Sequence, residues 1–257
     1  MLPVSLTAYP GSIADGLAIC MGIRMDIWGV LFPRRCPVCD RVLKYGGEKI
    51  CRKCVEKLIY IQEPRCKKCG KQILKFEEEY CYDCKKHKHL YKRGIVPFVH
   101  TGTIKKSIYG IKYKNKREYV DFYTDEIVRL YKEEIKTWKC DGIIPVPLYR
   151  KKQIKRGYNQ AEIIAKGLSE KLGIPMYTDI LKRVVNTKPQ KELNDIQRKK
   201  NLENAFIISR NIVRLQKVIL VDDIYTTGST IDSCARVLME SGILEVYYVS
   251  LSIGTGY

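Results

Sequence analysis

No run of about 18 consecutive apolar residues occurs in the 257-residue sequence, so no segment reads as a membrane-spanning helix. The first twenty residues lack the basic start of a secretory signal, and Pro10, Gly11 and Asp15 interrupt their apolar stretch, so the chain reads as cytoplasmic. Residues 1–24 read as a poorly ordered extension upstream of a start at Met21 or Met25. Histidine is scarce: His87, His89 and His100 are too few and too irregular to indicate catalysis or metal ligation. No G-x-x-x-x-G-K-[ST] segment occurs, which excludes a P-loop nucleotide hydrolase. Acidic residues are also in short supply, 28 against 47 Lys and Arg, for a formal charge of +19. Such an excess draws polyanions: nucleic acid, anionic lipid or phosphorylated metabolites. A merely soluble, lysine-rich surface is the plainer alternative.

Cysteine is abundant but local. Eight of the eleven lie between Cys36 and Cys84, as the pairs Cys36/Cys39, Cys51/Cys54, Cys66/Cys69 and Cys81/Cys84, repeating every 15 residues. A Cys-x-x-Cys knuckle aims two sulfurs at one ion, and two knuckles complete a tetrahedral shell, so eight ligands hold two structural Zn²⁺ ions. Thiolates on two zincs reduce the formal charge to about +15. A segment of about 50 residues with few large apolar side chains builds little core, so metal would supply much of its folding energy. Sequential ribbons and an interleaved cross-brace are both compatible with the spacing. Residues 43–50 and 73–80 read as hairpins linking adjacent knuckles, with Gly46-Gly47 as one turn, which favours the sequential form. A disulfide framework fits less well in a chain without a signal peptide that keeps three further cysteines, and a rubredoxin-like iron site is a further alternative for either half. Of these, Cys140 and Cys234 read as core residues.

Beyond residue 90 strands and helices alternate, which predicts a mostly parallel open sheet with helices on both faces. Gly94–Thr101 reads as a strand placed at an edge by Pro97. Asp121–Trp138 reads as a helix, and Gly142–Pro147 as a buried strand ending in a turn. A helix follows Asn159 and stops at Gly173; Lys217–Val221 is a strand, Thr230–Ser241 a helix and Val246–Leu251 the last strand. The domains expected are thus the extension, a Cys-rich head over 25–90, and an α/β domain over 91–257.

Val218-Ile-Leu-Val-Asp-Asp-Ile-Tyr-Thr-Thr-Gly-Ser-Thr230 joins an apolar strand, two acids and a hydroxyl-rich turn to a helix. The N–H groups and hydroxyls of Thr226, Thr227, Gly228, Ser229 and Thr230 suit a 5′-phosphate at a helix N-terminus. Asp222 and Asp223 would stand at the strand's carboxyl end, placed to accept from ribose hydroxyls or to hold Mg²⁺. A Walker B strand, a receiver-type acid pair and a simple helix cap compete, and none of the three uses the whole segment.

Residues 218–230 resemble the 5-phosphoribosyl 1-diphosphate (PRPP) signature of type I phosphoribosyltransferases. Ile144-Pro-Val-Pro-Leu, Arg156-Gly-Tyr-Asn-Gln-Ala and Arg183-Val-Val-Asn-Thr-Lys-Pro-Gln-Lys-Glu-Leu narrow the resemblance to the competence protein F (ComF) family. The cysteine head, preceded by the apolar Ile27–Pro33, which reads as a short lead-in helix, resembles that family's double zinc ribbon. The resemblance implies a type I phosphoribosyltransferase fold behind the ribbon. It assigns Pro145, Val146, Pro147 and Leu148 to the diphosphate, Asp222 and Asp223 to the ribose, and 226–230 to the 5′-phosphate, with Mg²⁺ accompanying PRPP. Segment 184–198 then matches a flexible closing loop, to which Arg183, Lys188, Gln190, Lys191 and Arg198 are assigned, with Lys188, Lys191 and Arg198 offsetting the charge of the departing diphosphate. No acceptor pocket is readable.

Two further basic runs contain Lys112, Lys114 and Tyr113, and Arg150, Lys151, Lys152, Lys155 and Arg156. Cations track phosphates and aromatics stack on unpaired bases, so these are candidate contacts for single-stranded DNA. A third run, Lys85–His89, joins the head to the α/β domain. The resemblance implies handling of incoming DNA in natural transformation; the alternative is an active phosphoribosyltransferase with an unknown acceptor. A third reading makes the zinc head a docking module for a DNA-uptake helicase.

Overall fold

The computed structural model describes residues 33–43, 47–185, 204–209 and 214–254. The N-terminal extension, the apolar lead-in, the Gly46 turn position, and Lys188, Gln190, Lys191 and Arg198 lie outside the described residues. Residues 34–257 form one compact unit, ribbons and sheet together. Among the described residues no helix is long and apolar enough to cross a membrane.

The main sheet contains β1 (Arg93–Ile95), β2 (Phe98–Val99) and β3 (Gly142–Pro145). A separate antiparallel pair, β4 (Leu181–Arg183) and β5 (Phe206–Ile208), comes next in the chain. The main sheet is completed by β6 (Lys217–Tyr225) and β7 (Glu245–Ile253), in the order β1-β7-β6-β3, all parallel, with β2 extending the β1 edge along β7. Pro97 splits the expected first strand into β1 and β2 and stands on the edge, where its missing N–H costs nothing. That edge is closed by the link between the ribbons: Ile61 N donates to Pro97 O at 2.9 Å and Val99 N to Ile59 O at 3.0 Å.

The central strands are apolar on both sides because both sides are covered. Val218, Leu220, Val246 and Tyr248 share one core with Ile231, Cys234 and Leu238 of helix α7 (Ser229–Glu240). Their alternates Ile219, Val221, Tyr247 and Val249 face the opposite core. That core is built by α3 (Gly102–Tyr113), α4 (Tyr119–Trp138) and α6 (Gln160–Leu172). Each large side chain buried there contributes about 1.5–3 kcal/mol. Asn159 caps α6 by accepting from Ala161 N at 3.1 Å, and Gly173 ends it in the left-handed region. Two short helices, α1 (Arg52–Val55) and α2 (Tyr82–Lys86), belong to the knuckles, and α5 (Arg150–Arg156) carries the second basic run.

Three details differ from the sequence reading. Strand β6 continues past Val221 to Tyr225, because Asp222, Ile224 and Tyr225 still pair with Ser250, Ser252 and Ile253 of β7. Helix α3 occupies a stretch left unassigned between the expected first strand and the basic run that begins at Lys112. Segment 73–80 is a bend rather than a hairpin ladder; the described bridges of the head, Arg35↔Val42 and Arg65↔Gln72, flank single knuckles.

Candidate functional site

The eight cysteines form two groups, Cys36/Cys39/Cys51/Cys54 and Cys66/Cys69/Cys81/Cys84, each with its sulfurs within 4.8 Å of one another. The ribbons are therefore sequential, not cross-braced. Tetrahedral zinc with bonds of about 2.3 Å sets neighbouring sulfurs about 3.8 Å apart. Cys39 and Cys51 Sγ lie 3.7 Å apart, and Cys69 and Cys81 Sγ 3.6 Å, so both sets fit the ion. Zinc there is structural, since each set fills four coordination positions with sulfur.

The two sites are embedded differently. Cys39 is exposed, and Cys36 and Cys54 share a small cluster with Leu43. This ribbon meets the helices through polar groups, Tyr119 donating to Asp40 at 2.6 Å and Lys49 pairing with Asp121 of α4 at 2.8 Å, and through the partly buried Val38 and Ile50, which pack against the helix-side core. Cys66, Cys69 and Cys81 are instead buried in the core that contains Val218, Leu220, Tyr225 and Tyr248. Tyr248 donates to Cys69 O at 2.7 Å and stacks on Tyr225, with centroids 4.9 Å apart. Gly94 N donates to Lys68 O at 2.8 Å, and a Cβ on Gly94 would overlap the Tyr248 ring, so only glycine admits this approach.

The same contacts reach the Thr226–Thr230 loop. Tyr225 ends β6 and its hydroxyl lies 2.6 Å from that of Tyr91. Residues 226–228 then turn into α7 through Gly228 at φ +81°; a Cβ there would stand 2.5 Å from the Tyr225 hydroxyl and 3.0 Å from His89 Cε1. Thr227 and Ser229 hydroxyls lie 2.9 Å apart at the helix N-terminus, where N–H groups and the helix dipole favour an anion. His89, buried, sits with Nδ1 2.7 Å from Asp232 in the first turn of α7, and Asp232 also accepts from Leu90 N at 2.9 Å. The sequence reading set His89 aside; its partner lies 143 residues away, and only the fold brings them together.

Asp222 and Asp223 stand at the carboxyl end of β6. Burial, reinforced by the Asp223 charge, pushes the Asp222 carboxyl up to about 7 despite Lys112 and Arg183 nearby. Asp223 is buried, and Lys112 Nζ lies 2.8 Å from its Oδ2 as an ion pair without hydrogen-bond alignment. Lys112, expected on an open DNA surface, is thus inside the acid site. The Pro145–Leu148 turn is fixed beside it: Val146 N donates to Val221 O at 2.9 Å, and Asn159 Nδ2 donates to Val146 O at 3.1 Å. Arg183 ends β4 close enough to influence Asp222.

The two basic runs meet. Arg156 lies over the Tyr113 ring at 5.1 Å, Arg117 lies over Tyr158 at 4.1 Å, and Tyr109 packs on Tyr113 with centroids 4.8 Å apart. Tyr109, Tyr113, Lys114, Arg150, Lys151, Lys152 and Lys155 are exposed along this edge. Tyr109, one helical turn before Tyr113, was legible as its i,i+4 partner once α3 is recognised.

Residues 27–85 match the double zinc ribbon domain model. Competence protein F of Haemophilus influenzae is 44% identical over 108 residues, covering 41% of this chain and 47% of that protein. DNA utilization protein YhgH of Salmonella typhi is 37% identical over 106 residues, 41% of this chain and 46% of that one. The chain therefore spans about half the length of the curated relatives it matches. Among solved structures, the purine phosphoribosyltransferase of Pyrococcus horikoshii aligns with TM-score 0.33 and 21% identity over 51% of this chain and 74% of its own. Over about two fifths of its length the chain is similar to competence protein F and the YhgH proteins, and its head matches a double zinc ribbon.

Proposed function

We propose that Asp222, Asp223 and the Thr226–Thr230 loop hold PRPP or a related phosphorylated ribose with Mg²⁺, and that the edge beside them holds single-stranded DNA during uptake in natural transformation. The observation that carries this reading is the junction at Lys112. Its ammonium pairs with Asp223, while Tyr109 and Tyr113 on the same helix pack against each other with their planes tilted by 45°, and Arg156 lies over the Tyr113 ring. A sugar-phosphate site and a base-stacking, cation-lined edge are therefore adjacent. Two carboxylates side by side, one of them raised to about 7, suit a divalent cation that would favour their ionised form. Thr226, Thr227, Ser229 and Thr230 would take the 5′-phosphate, and Pro145–Leu148 the diphosphate. The names of competence protein F and the YhgH proteins accord with a task in DNA handling.

Titration calorimetry of the zinc-loaded chain tests both halves. With Mg²⁺, PRPP binds to the wild type and not to Asp223→Ala. An oligothymidylate binds with a salt slope of about −0.7 per phosphate contacted, and Tyr113→Ala weakens it by about 1–3 kcal/mol without altering PRPP binding. Absence of PRPP heat removes the ribose-phosphate site, and salt-independent oligonucleotide affinity removes the DNA surface. Diphosphate release in the same mixtures tests the alternative, transfer of the phosphoribosyl group to an acceptor.

A further inference from the structure

A cavity of about 960 Å³ lies between the second ribbon and the phosphate loop. Ile73, Leu74, Tyr82 and Lys88 form its ribbon wall, Val99 and Ile253 belong to the sheet edge beneath, and Thr226, Thr227 and Ser229 close the remaining side. Neither Asp222 nor Asp223 lines it, so the space lies beyond the phosphate loop rather than over the acids. Its volume is at the upper end of the roughly 300–1,000 Å³ of small-molecule sites. The 5′-phosphate of PRPP is the end of that molecule, and a site made for PRPP alone has no use for a large space behind it.

We propose that this cavity receives the nucleoside on the 5′ side of the phosphate held at Thr226–Thr230, so that the loop accepts an internal phosphodiester of a single strand as well as a terminal phosphate. This rests on the phosphate-loop reading above and deepens it. The walls have the mixed character a nucleoside needs. Tyr82 is 67% exposed, with Lys86 Nζ 4.3 Å over its ring, and Leu74 is 82% exposed, so an aromatic face and an aliphatic face stand open to a base. Lys75 and Lys88, both exposed on this wall, supply positive charge for the strand's next phosphate. The ribbon is held in register with the loop by the buried His89–Asp232 contact and by the Tyr248 bond to Cys69 O, so the two walls form one rigid slot. The strand would continue from the slot across the acids toward the Tyr109/Tyr113 edge.

The test compares thymidine 5′-monophosphate, the dinucleotide TpT and ribose 5-phosphate on the zinc-loaded chain. TpT carries one charge fewer than the monophosphate, so a loop acting alone binds it less tightly. The expected result is TpT binding at least as tight as the monophosphate and competitive with ribose 5-phosphate. Leu74→Ala combined with Tyr82→Ala then weakens TpT about tenfold and leaves the other two unchanged; both side chains are exposed, so the fold tolerates their loss. If the monophosphate binds and TpT does not, or if the double variant weakens all three alike, the cavity assignment is overturned while the loop assignment stands. If no ligand binds the wild type, both fall.

Discussion

Removing one zinc ligand from each ribbon has very unequal consequences. In Cys69→Ser the lost site is part of the sheet's own core. Tyr91 and Tyr248, both fully buried, lose the ribbon as a covering layer, and Cys69 O loses its place as acceptor for the Tyr248 hydroxyl. Partial exposure of the two rings costs about 1.5 kcal/mol each, and stranding the buried hydroxyl about 2 kcal/mol more. The sum, about 5 kcal/mol, is comparable to the whole stability of many domains. At about 2–4 °C per kcal/mol for a domain of this size, Tm falls by roughly 10–20 °C. In Cys39→Ser the lost site is peripheral, joined to the helices by the partly buried Val38 and Ile50 and by exposed or half-exposed ion pairs worth under about 1 kcal/mol each. Its effect on the sheet is under about 4 °C. Thermal unfolding followed by Trp138 fluorescence in a Trp28→Phe background reads the packing of α4 on the sheet, because Trp138 ends that helix and stacks on Tyr247 of β7 at 4.6 Å, on the face away from the second ribbon. Metal analysis confirms that each variant has lost one zinc. Equal shifts in Tm, or a larger one for Cys39→Ser, would refute the claim that the second ribbon, rather than the first, is built into the core beneath the Thr226–Thr230 loop.

The 15-residue cysteine repeat made both metal sites legible, because ligand number and knuckle spacing are local properties of a chain. The alternation of Val218–Val221 and of Val246–Val249 likewise announced strands buried on both faces. What local spacing does not contain is partnership. The strand was read to stop at Val221, with Asp222 and Asp223 at its carboxyl end; pairing with β7 carries it on through them to Tyr225, and that pairing is a property of two distant segments. Lys112 belongs by composition to a solvated basic run, yet its place on α3 turns it toward Asp223. The helix itself was within reach, since Ile104, Ile108 and Ile111 repeat at i, i+4 and i+7. The slot behind the Thr226–Thr230 loop was not, because its walls come from Ile61, residues 71–89, Val99 and residues 226–254.

Two further predictions concern charge. Asp121 is held down to about 2: burial raises it, but hydrogen bonds from Lys49 and Lys171 outweigh that. Its contribution is therefore present above pH 3.8 and lost as the pH falls toward 2. At pH 7, Asp121→Asn loosens the first ribbon, seen as faster amide exchange over residues 47–55 with Tm lowered by under about 4 °C; unchanged exchange contradicts the docking role. Asp222 has the opposite sign. Burial and the neighbouring Asp223 raise it from 3.8 to about 7, so the folded state holds its proton more tightly than the unfolded chain does. Stability then declines as the pH rises from about 4 to 7, and above 7 the full cost, at most about 4 kcal/mol, is present. Asp222→Asn removes that cost: its Tm exceeds the wild type's at pH 8, and the difference shrinks toward zero as the pH approaches 4. PRPP binding with Mg²⁺ is lost in the same variant, because the amide offers no charge to the cation. A Tm difference independent of pH would show that Asp222 is not the group whose burial is being relieved. A pH-dependent gain in stability joined to loss of binding is what a carboxylate kept for a ligand, at the expense of the fold, must give.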